Sequence, residues 1–235
     1  MAEHGETPDT LPDYGNTFAL WRAEHPETWR AYTHHRFVEG LKDGTLPREA
    51  YLTYLVQDYI FLIHFSRAWA LAVVKAETPE EMRLAARTVT SLLDEELGLH
   101  IRTCAAEGLS EADLFAAREH THNIAYTRYV LDAGHSGDLL DLLAALAPCV
   151  LGYGEIGARL IREKSLDTPY ADWIETYAGD ETQSLCRDVG ALIDGAMTRR
   201  LGSDPQQSPR WGALSARFET ATRLEAGFWA MNRPE

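Results

Sequence analysis

The sequence predicts an all-α protein that folds as a single-domain bundle of many helices. Apolar residues recur at helical spacing, three and four positions apart, along most of the 235 residues. The sequence shows no alternating strands bounded by hairpin dipeptides. Connections between the helical segments are short and no internal repeat is evident, so one helical domain is the most economical interpretation.

The helices are expected to follow one another from Trp21, with proline and turn residues at their boundaries. The turn KDGTLP ends the first segment, and Pro47 suits the first position of the next helix. Ser110 and Asp113 form the pattern of a capping box before a short helix. The expected segments are about 21–41 (one or two helices, broken near Pro26), 47–76, 79–108, 110–118, 120–133, 137–164, 169–178, 180–201 and 209–231.

Composition excludes several classes of partner. The net charge is −14 and the chain has no basic stripe, so nucleic acid and anionic membranes are poor partners. The longest apolar run, at 68–74, is far shorter than the roughly 20 residues that span a membrane. Residues 1–16 are acidic and lack the apolar region of a signal peptide, so we expect a loosely ordered arm before a domain at 17–235. The three cysteines lie far apart without CxxC spacing, which is typical of reduced thiols in the cytoplasm.

Asp58 is a carboxylate on a helical face that is otherwise apolar. The residues three and four positions away on either side are leucine or aromatic. A carboxylate there needs a partner, because desolvating it alone is costly. A ligand-binding role and an internal salt bridge or helix-to-helix hydrogen bond explain this position equally well.

Glu225 is a second carboxyl on an aromatic face, since Phe228 and Trp229 follow it at helical spacing. Burial disfavours the charged form and would raise the pKa of Glu225, which suits a general acid near neutral pH. A position at the edge of the stripe, beside solvent, is the interpretation that the pattern alone favours.

Cys149 follows a proline in the stretch APCVLGYGEIG. Tyr153, Ile156 and Leu160 come after it on one helical face. Pro148 removes a backbone donor, so the helix is expected to kink or restart there. A restart would place the thiol in a first turn, where free N–H groups favour the thiolate. Cysteine is also a common small hydrophobe in cores, and by itself the pattern favours a core thiol over a nucleophile.

Other candidates are weaker when each is taken singly. Tyr126, Tyr153 and Tyr177 lie in core-like stripes, where packing is the default explanation and each hydroxyl needs a partner. Glu96 and His100 are four residues apart on one helix, and helical bundles use such pairs in di-iron sites. The sequence has no matching Glu-x-x-His motif on other helices. We therefore expect no metal site and interpret this pair as surface or supporting residues.

Seven segments carry a resemblance to a known family: FVEGLKDGTLP, YLVQDYIFLIHFSRAWALAVVKA, ELGLH, AYTRYVLDAG, LLDLLAALAPCVLGYGEIGARL, YADWIETYAGDE and LEAGFWAMN. In order and spacing over about residues 30–232 they resemble the TenA family of thiaminase II and aminopyrimidine aminohydrolase. The DGTLP…QDY and PC…GY.EIG combinations are long and specific. The resemblance implies a haem-oxygenase-like helical fold without a cofactor. It also implies hydrolysis of 4-amino-5-aminomethyl-2-methylpyrimidine to hydroxymethylpyrimidine for thiamin salvage, with thiamin cleavage as a related activity.

The resemblance assigns roles by position. It makes Cys149 the nucleophile, Glu225 the acid and base, and Asp58 the carboxylate that binds the pyrimidine. It also gives the aromatic residues of the pocket, which are Phe61, Tyr126, Tyr153 and Tyr177. Phe61 stands where some members carry Tyr, so a hydroxyl hydrogen bond is lost there, and Thr182 stands where an aromatic residue is expected. The resemblance further implies a homotetramer that binds a small pyrimidine.

Two other functions remain open from the sequence. The fold and the Glu96–His100 pair would also suit an iron- or haem-dependent enzyme. A non-enzymatic regulator that binds a pyrimidine is the second alternative, although the net charge of −14 argues against direct contact with DNA.

Overall fold

The computed structural model describes residues 11–232, which form an all-helical domain as the sequence predicts. No residue in that range lies in a β-strand. The helices are α1 (Asn16–Glu24), α2 (Pro26–Thr33), α3 (Arg36–Asp43), α4 (Arg48–Lys75), α5 (Pro79–Ser91), α6 (Leu97–Ala106), α7 (Glu111–Ala116), α8 (Thr121–Ser136), α9 (Leu139–Ala147), α10 (Tyr153–Glu163), α11 (Ala171–Ala178), α12 (Asp180–Leu201) and α13 (Trp211–Trp229).

Side-chain caps set several of these boundaries. The capping box of Ser110 and Asp113 forms at the start of α7, as the sequence predicts. Thr78 and Glu81 form an equivalent box before α5, whose first residue is Pro79. Such caps satisfy backbone N–H groups that have no partner within the helix.

Two of the expected segments are divided more finely than the sequence indicates. The segment expected at 21–41 contains three helices, because short breaks fall at His25 and at His34 and His35. The helix expected at 79–108 runs through a π-helical segment, Leu92–Glu96, between α5 and α6. A second π-helical segment, Pro148–Gly152, joins α9 to α10. Such segments often occur at functional sites, and both of these border the cavity described below.

The continuous helix Leu139–Glu163 is the centre of the bundle. It is long and apolar enough to cross a membrane by length and composition, but 83% of its apolar window is buried inside the fold. This is the pattern of a core helix, and α4, α12 and α13 pack around its first half. Gly152 lets Tyr32 pack directly against this helix, because a Cβ there would collide with the tyrosine ring.

An ion-pair cluster joins two helices that flank the cavity. Glu81, at the start of α5, is buried and binds Arg199 and Arg200 near the end of α12. Burial opposes ionisation of Glu81, but the hydrogen bonds from the two arginines lower its pKa to about 2. The cluster therefore fixes the spacing of α5 and α12.

The expected N-terminal arm at 1–16 lies mostly outside the described residues. Within the described part, Tyr14 is buried and its hydroxyl donates a 2.6 Å hydrogen bond to Gln183 of α12. The first helix then begins at Asn16. The arm and the domain boundary remain predictions.

Candidate active site

A cavity of about 750 Å³ opens between α4, α5, α6, α11, α12 and the Pro148–Gly152 segment. Four of the residues predicted from the sequence line it, namely Asp58, Cys149, Tyr153 and Tyr177. The other three, Phe61, Tyr126 and Glu225, are not part of the lining, and Tyr126 contacts both of the others. The volume is within the usual range for a small-molecule site.

Cys149 is held by the π-helical segment and not by a new helix. Pro148 has helical backbone angles (φ −59°, ψ −40°), and the helix continues through it into α10. The carbonyl oxygen of Pro148 accepts a hydrogen bond from the hydroxyl of Tyr32 at 3.2 Å. The expectation that a restarted helix would favour the thiolate with free N–H groups is therefore wrong, because Cys149 lies within a continuous helix.

The thiol of Cys149 is protonated in the free protein. Burial raises its pKa well above the ordinary value, and the negative charges of Glu225, Glu96 and Asp58 raise the pKa further. The side chain is nevertheless only half-buried and lines the cavity, which a thiol of the closed core would not do. The geometry thus presents an accessible thiol that needs a base before it can react.

Glu225 is the base nearest to that thiol. Its side chain is 1% exposed, so the alternative position beside solvent is wrong. The Tyr126 hydroxyl donates a 2.8 Å hydrogen bond to Oε1, and the carboxyl lies close enough to the Cys149 thiol for each group to affect the pKa of the other. Burial raises the pKa of Glu225 to about 8; the charge of Asp58 adds to this effect, and the hydrogen bond from Tyr126 and the nearby Cys149 thiol oppose it. A carboxyl with this pKa can both accept and donate a proton near neutral pH.

Asp58 binds a buried histidine. Nε2 of His100 lies 2.5 Å from Oδ2 of Asp58, and the Tyr54 hydroxyl donates to the same oxygen at 3.2 Å. Nδ1 of His100 lies 3.0 Å from the carbonyl oxygen of Glu96, which can only accept, so Nδ1 carries a hydrogen. Burial lowers the pKa of His100, but the hydrogen bond and the charge of Asp58 outweigh it, and the net pKa is raised. Asp58 therefore makes the helix-to-helix hydrogen bond that was one interpretation of its position, and it also lines the cavity; its ligand-binding role stays a prediction.

Aromatic rings form one wall of the cavity. Tyr153 and Tyr177 lie with ring centroids 4.9 Å apart, and Trp173 is 4.5 Å from Tyr177. Trp229 packs behind Tyr153 at 5.2 Å. Rings in this arrangement present flat apolar surfaces on which a heteroaromatic ring can stack.

Phe61 and Tyr126 lie behind this surface. Their ring centroids are 5.1 Å apart, and Phe228 also contacts Phe61 at 5.3 Å. Phe61 is thus a packing neighbour of the tyrosine that binds Glu225. Its place in the structure is consistent with the loss of a hydroxyl there, because apolar rings surround it.

Thr182 lies at the outer part of the cavity, where the resemblance leads one to expect an aromatic residue. Its hydroxyl donates a 2.8 Å hydrogen bond to the carbonyl oxygen of Thr176, which joins the start of α12 to α11. Charged residues accompany it at this end of the lining, among them Arg87, Glu181 and Asp188. The mouth of the cavity is therefore polar, whereas its inner wall is aromatic.

The leading interpretation of the sequence gave no site role to Glu96, His100 and Tyr54, and the first two entered only the iron- or haem-dependent alternative. The ELGLH spacing was a signal for the first two, but it did not show that His100 is buried and that its partner lies 42 positions earlier. Glu96 lines the cavity and accepts a 2.8 Å hydrogen bond from the Tyr177 hydroxyl. Both ring nitrogens of His100 make hydrogen bonds, and no group of three or more His, Cys, Asp or Glu within the described residues could hold a metal ion.

Comparison with known proteins shows which proteins the chain is similar to. The model of the TENA/THI-4/PQQC family matches residues 22–234. An aminopyrimidine aminohydrolase of Halalkalibacterium halodurans is 33% identical over 205 residues, which are 86% of this chain and 89% of that protein. The crystal structure of a TenA family transcription regulator from a Silicibacter species is 63% identical with a TM-score of 0.91, covering 93% of this chain and 96% of that one. A domain with a heme oxygenase-like fold from Shewanella denitrificans gives a TM-score of 0.68 at 13% identity, over 91% of this chain and 90% of that one, which shows the shared fold alone.

Proposed function

Because the chain belongs to the TENA/THI-4/PQQC family, we propose that it hydrolyses an aminomethylpyrimidine to the hydroxymethylpyrimidine used in thiamin salvage. The chain is a hydrolase, and thiamin cleavage would be a related activity of the same site. The observation that carries the proposal is that the Cys149 thiol and the Asp58 carboxyl line one cavity together with the rings of Tyr153 and Tyr177.

Asp58 is suited to hold the pyrimidine by its polar edge. An aminopyrimidine presents a ring nitrogen beside an exocyclic amine, and one carboxylate can bind both through paired hydrogen bonds when the ring nitrogen is protonated. The contacts from Tyr54 and His100 both go to Oδ2 and fix the orientation of the carboxylate at the cavity. The rings of Tyr153 and Tyr177 supply surfaces for the faces of the pyrimidine.

The proposed reaction begins at Cys149. Glu225 gives its proton to a ring nitrogen, and the carboxylate that results takes the thiol proton while Sγ forms a bond to a ring carbon. Addition removes the aromaticity of the ring and makes departure of the substituent on the methylene carbon easier. A water molecule then takes the place of the leaving group, the ring nitrogen returns its proton through Glu225, and the thiolate is released.

The experiment is hydrolysis of 4-amino-5-aminomethyl-2-methylpyrimidine by the purified protein, followed by ammonia release and by chromatography of the hydroxymethyl product. Cys149→Ser should lower kcat by at least about a hundredfold, since a serine hydroxyl is a far poorer nucleophile. Cys104→Ser is the matched control, because Cys104 is a buried thiol of α6 that does not line the cavity. A Cys149→Ser rate near that of the wild type would show that no covalent step occurs at this residue.

We also propose a homotetramer, which the resemblance implies, and a location in the cytoplasm, which the cysteine pattern favours. The three cysteines are free thiols, as expected for a reducing compartment. Light scattering on the purified protein should give a mass of about four times the 26.3 kDa of the chain. A monomer or dimer mass would remove the tetramer from the proposal.

A further inference from the structure

Glu96 is a carboxyl of the cavity wall that the reaction above leaves without a role. It is the last residue of the π-helical segment Leu92–Glu96 and lines the same cavity as Asp58 and Cys149. The Tyr177 hydroxyl donates a 2.8 Å hydrogen bond to its Oε1. Burial and the charge of Asp58 raise the pKa of Glu96. The side chain is therefore a carboxyl with a raised pKa that borders the cavity.

The position of Glu96 relative to the thiol differs from that of Glu225. Both carboxyls are close enough for their charges to act on Cys149. Glu225 is 1% exposed and stands behind the thiol, outside the lining, whereas Glu96 belongs to the lining itself. Tyr177 connects Glu96 to the aromatic wall, since its ring lies 4.9 Å from that of Tyr153. The thiol thus has one carboxyl on its inner side and another on the side of the cavity.

The proposed reaction still lacks a residue that gives a proton to the leaving amine. In the proposed reaction Asp58 holds the pyrimidine edge and Glu225 serves the ring nitrogen. An amine leaves as ammonia only when its nitrogen is protonated, so the substituent on the methylene carbon needs a third group. We propose that Glu96 is the acid that protonates this departing amine. The inference rests on the proposed function and deepens it, because it names the leaving-group residue of the same site.

Glu96 loses one proton in this step and regains one from water. The carboxyl of Glu96 gives its proton to the amine nitrogen, and the C–N bond breaks with its electron pair going to nitrogen, which leaves as ammonia. Electrons of the ring adduct form a double bond to the methylene carbon. The oxygen of water then bonds to that carbon, the double-bond electrons return to the ring, and a proton of the water restores the Glu96 carboxyl. Aminomethylpyrimidine and water become hydroxymethylpyrimidine and ammonia.

A substrate with a thiazolium leaving group distinguishes protonation of the leaving group by Glu96 from any other role of this residue. Its departing nitrogen is already cationic and has no hydrogen, so it leaves as a neutral thiazole without an acid. The pyrimidine half of such a substrate uses the same Asp58, Cys149 and Glu225. Loss of the acid at Glu96 should therefore slow the amine substrate and spare C–N cleavage of thiamin.

The test compares Glu96→Gln with the wild type on aminomethylpyrimidine and on thiamin. Glutamine keeps the size of the side chain and an oxygen that can accept from Tyr177. The ratio kcat/KM reports the steps up to the first irreversible one, which is C–N cleavage, so the later attack of water does not enter it. We expect kcat/KM to fall by about a hundredfold or more for the amine, as for the loss of a general acid, and by less than about fivefold for thiamin. Glu27→Gln is the matched control, since Glu27 is an exposed glutamate of α2 outside the cavity lining, and it should leave both values unchanged.

Three outcomes would overturn the inference or its premise. Equal losses on both substrates would place Glu96 at the pyrimidine or the thiol and overturn its role at the leaving group. An unchanged rate on the amine would overturn it as well. If Glu96→Gln does not fold, Tyr177→Phe removes the hydrogen bond to the carboxyl and must lower the ratio of amine to thiamin turnover in the same direction. A wild-type protein that hydrolyses neither compound would instead reject the proposed function, and the inference with it.

Discussion

Replacement of Glu225 by Gln should stabilise the folded protein at alkaline pH, because the native structure holds this carboxyl in its neutral form. The pKa of Glu225 rises from 4.5 to about 8, chiefly through burial. Between these two values the unfolded chain has lost the proton and the folded chain still binds it. The free energy of unfolding of the wild type therefore falls as pH increases through this window.

The expected magnitude follows from the two pKa values. Each pKa unit corresponds to about 1.4 kcal/mol, so the shift from 4.5 to about 8 corresponds to at most about 5 kcal/mol. Below the lower pKa the carboxyl is neutral in the folded and the unfolded protein, so ionisation does not change the free energy of unfolding. Above the upper pKa the carboxyl is charged in both, and the full loss of stability is reached. An amide cannot ionise, and its oxygen can still accept the hydrogen bond from Tyr126, so Glu225→Gln lacks this dependence on pH.

The assay is urea unfolding of the wild type and of Glu225→Gln at several pH values from about 5 to about 9. The difference in unfolding free energy should grow by several kcal/mol in favour of the variant as pH increases. Glu81→Gln is a matched control, since hydrogen bonds from Arg200 and Arg199 hold the pKa of Glu81 at about 2 despite its burial. Its difference from the wild type should stay constant over the same window. A difference for Glu225→Gln that also stays constant would refute the argument, because it would mean that the native carboxyl ionises near its ordinary pKa.

Three further results are expected from the contacts of the site. Tyr126→Phe removes a hydrogen bond to the Glu225 carboxylate, which is worth about 1.5–3 kcal/mol for a charged group. The part of the pH profile of kcat/KM that is set by ionisation of Glu225 should therefore move to higher pH by about one to two pH units, and an unchanged profile would contradict this. Iodoacetamide should label Cys149 more slowly than free cysteine at neutral pH, because burial raises the pKa of the thiol. Mass spectrometry follows the labelling, and rapid labelling would show a thiolate in the free protein. His100→Ala should lower the free energy of unfolding by about 3 kcal/mol and raise KM, because it leaves the buried Asp58 carboxyl with only the Tyr54 hydroxyl as a partner. An unchanged urea midpoint and KM would show that the contact has little effect.

Helices and their order were predictable from the sequence because helical periodicity and capping are local signals. The box of Ser110 and Asp113 and the bounds Asp180–Leu201 of α12 needed no tertiary information. The π-helical segment at Pro148 was not predictable in this way. It depends on how the helix packs against neighbours such as Tyr32, which lies 116 positions earlier in the chain.

The sequence indicates candidate site residues where a polar side chain lies on an apolar helical face. Asp58 and Glu225 are carboxyls on apolar faces, and the structure places the charge of Asp58 close enough to affect the pKa of Glu225. His100 does not look out of place, because a histidine near a glutamate on a helix is ordinary at the surface. Only the fold shows that it is 2% exposed and bound to Asp58.

The raised pKa values of the site together constrain when the thiol can react. Cys149 cannot ionise easily in the free protein, since its neighbours are carboxyls and no arginine or lysine lines the inner part of the cavity among the described residues. Glu225 can take the thiol proton only as a carboxylate, and with a pKa of about 8 this buried carboxyl is mostly neutral near pH 7. In the proposed reaction Glu225 first passes its own proton to a ring nitrogen of the pyrimidine, and the carboxylate then takes the proton of the thiol. Burial thus makes the reactivity of Cys149 depend on a bound base, so a ligand that fills the cavity without a basic nitrogen should leave the thiol unreactive.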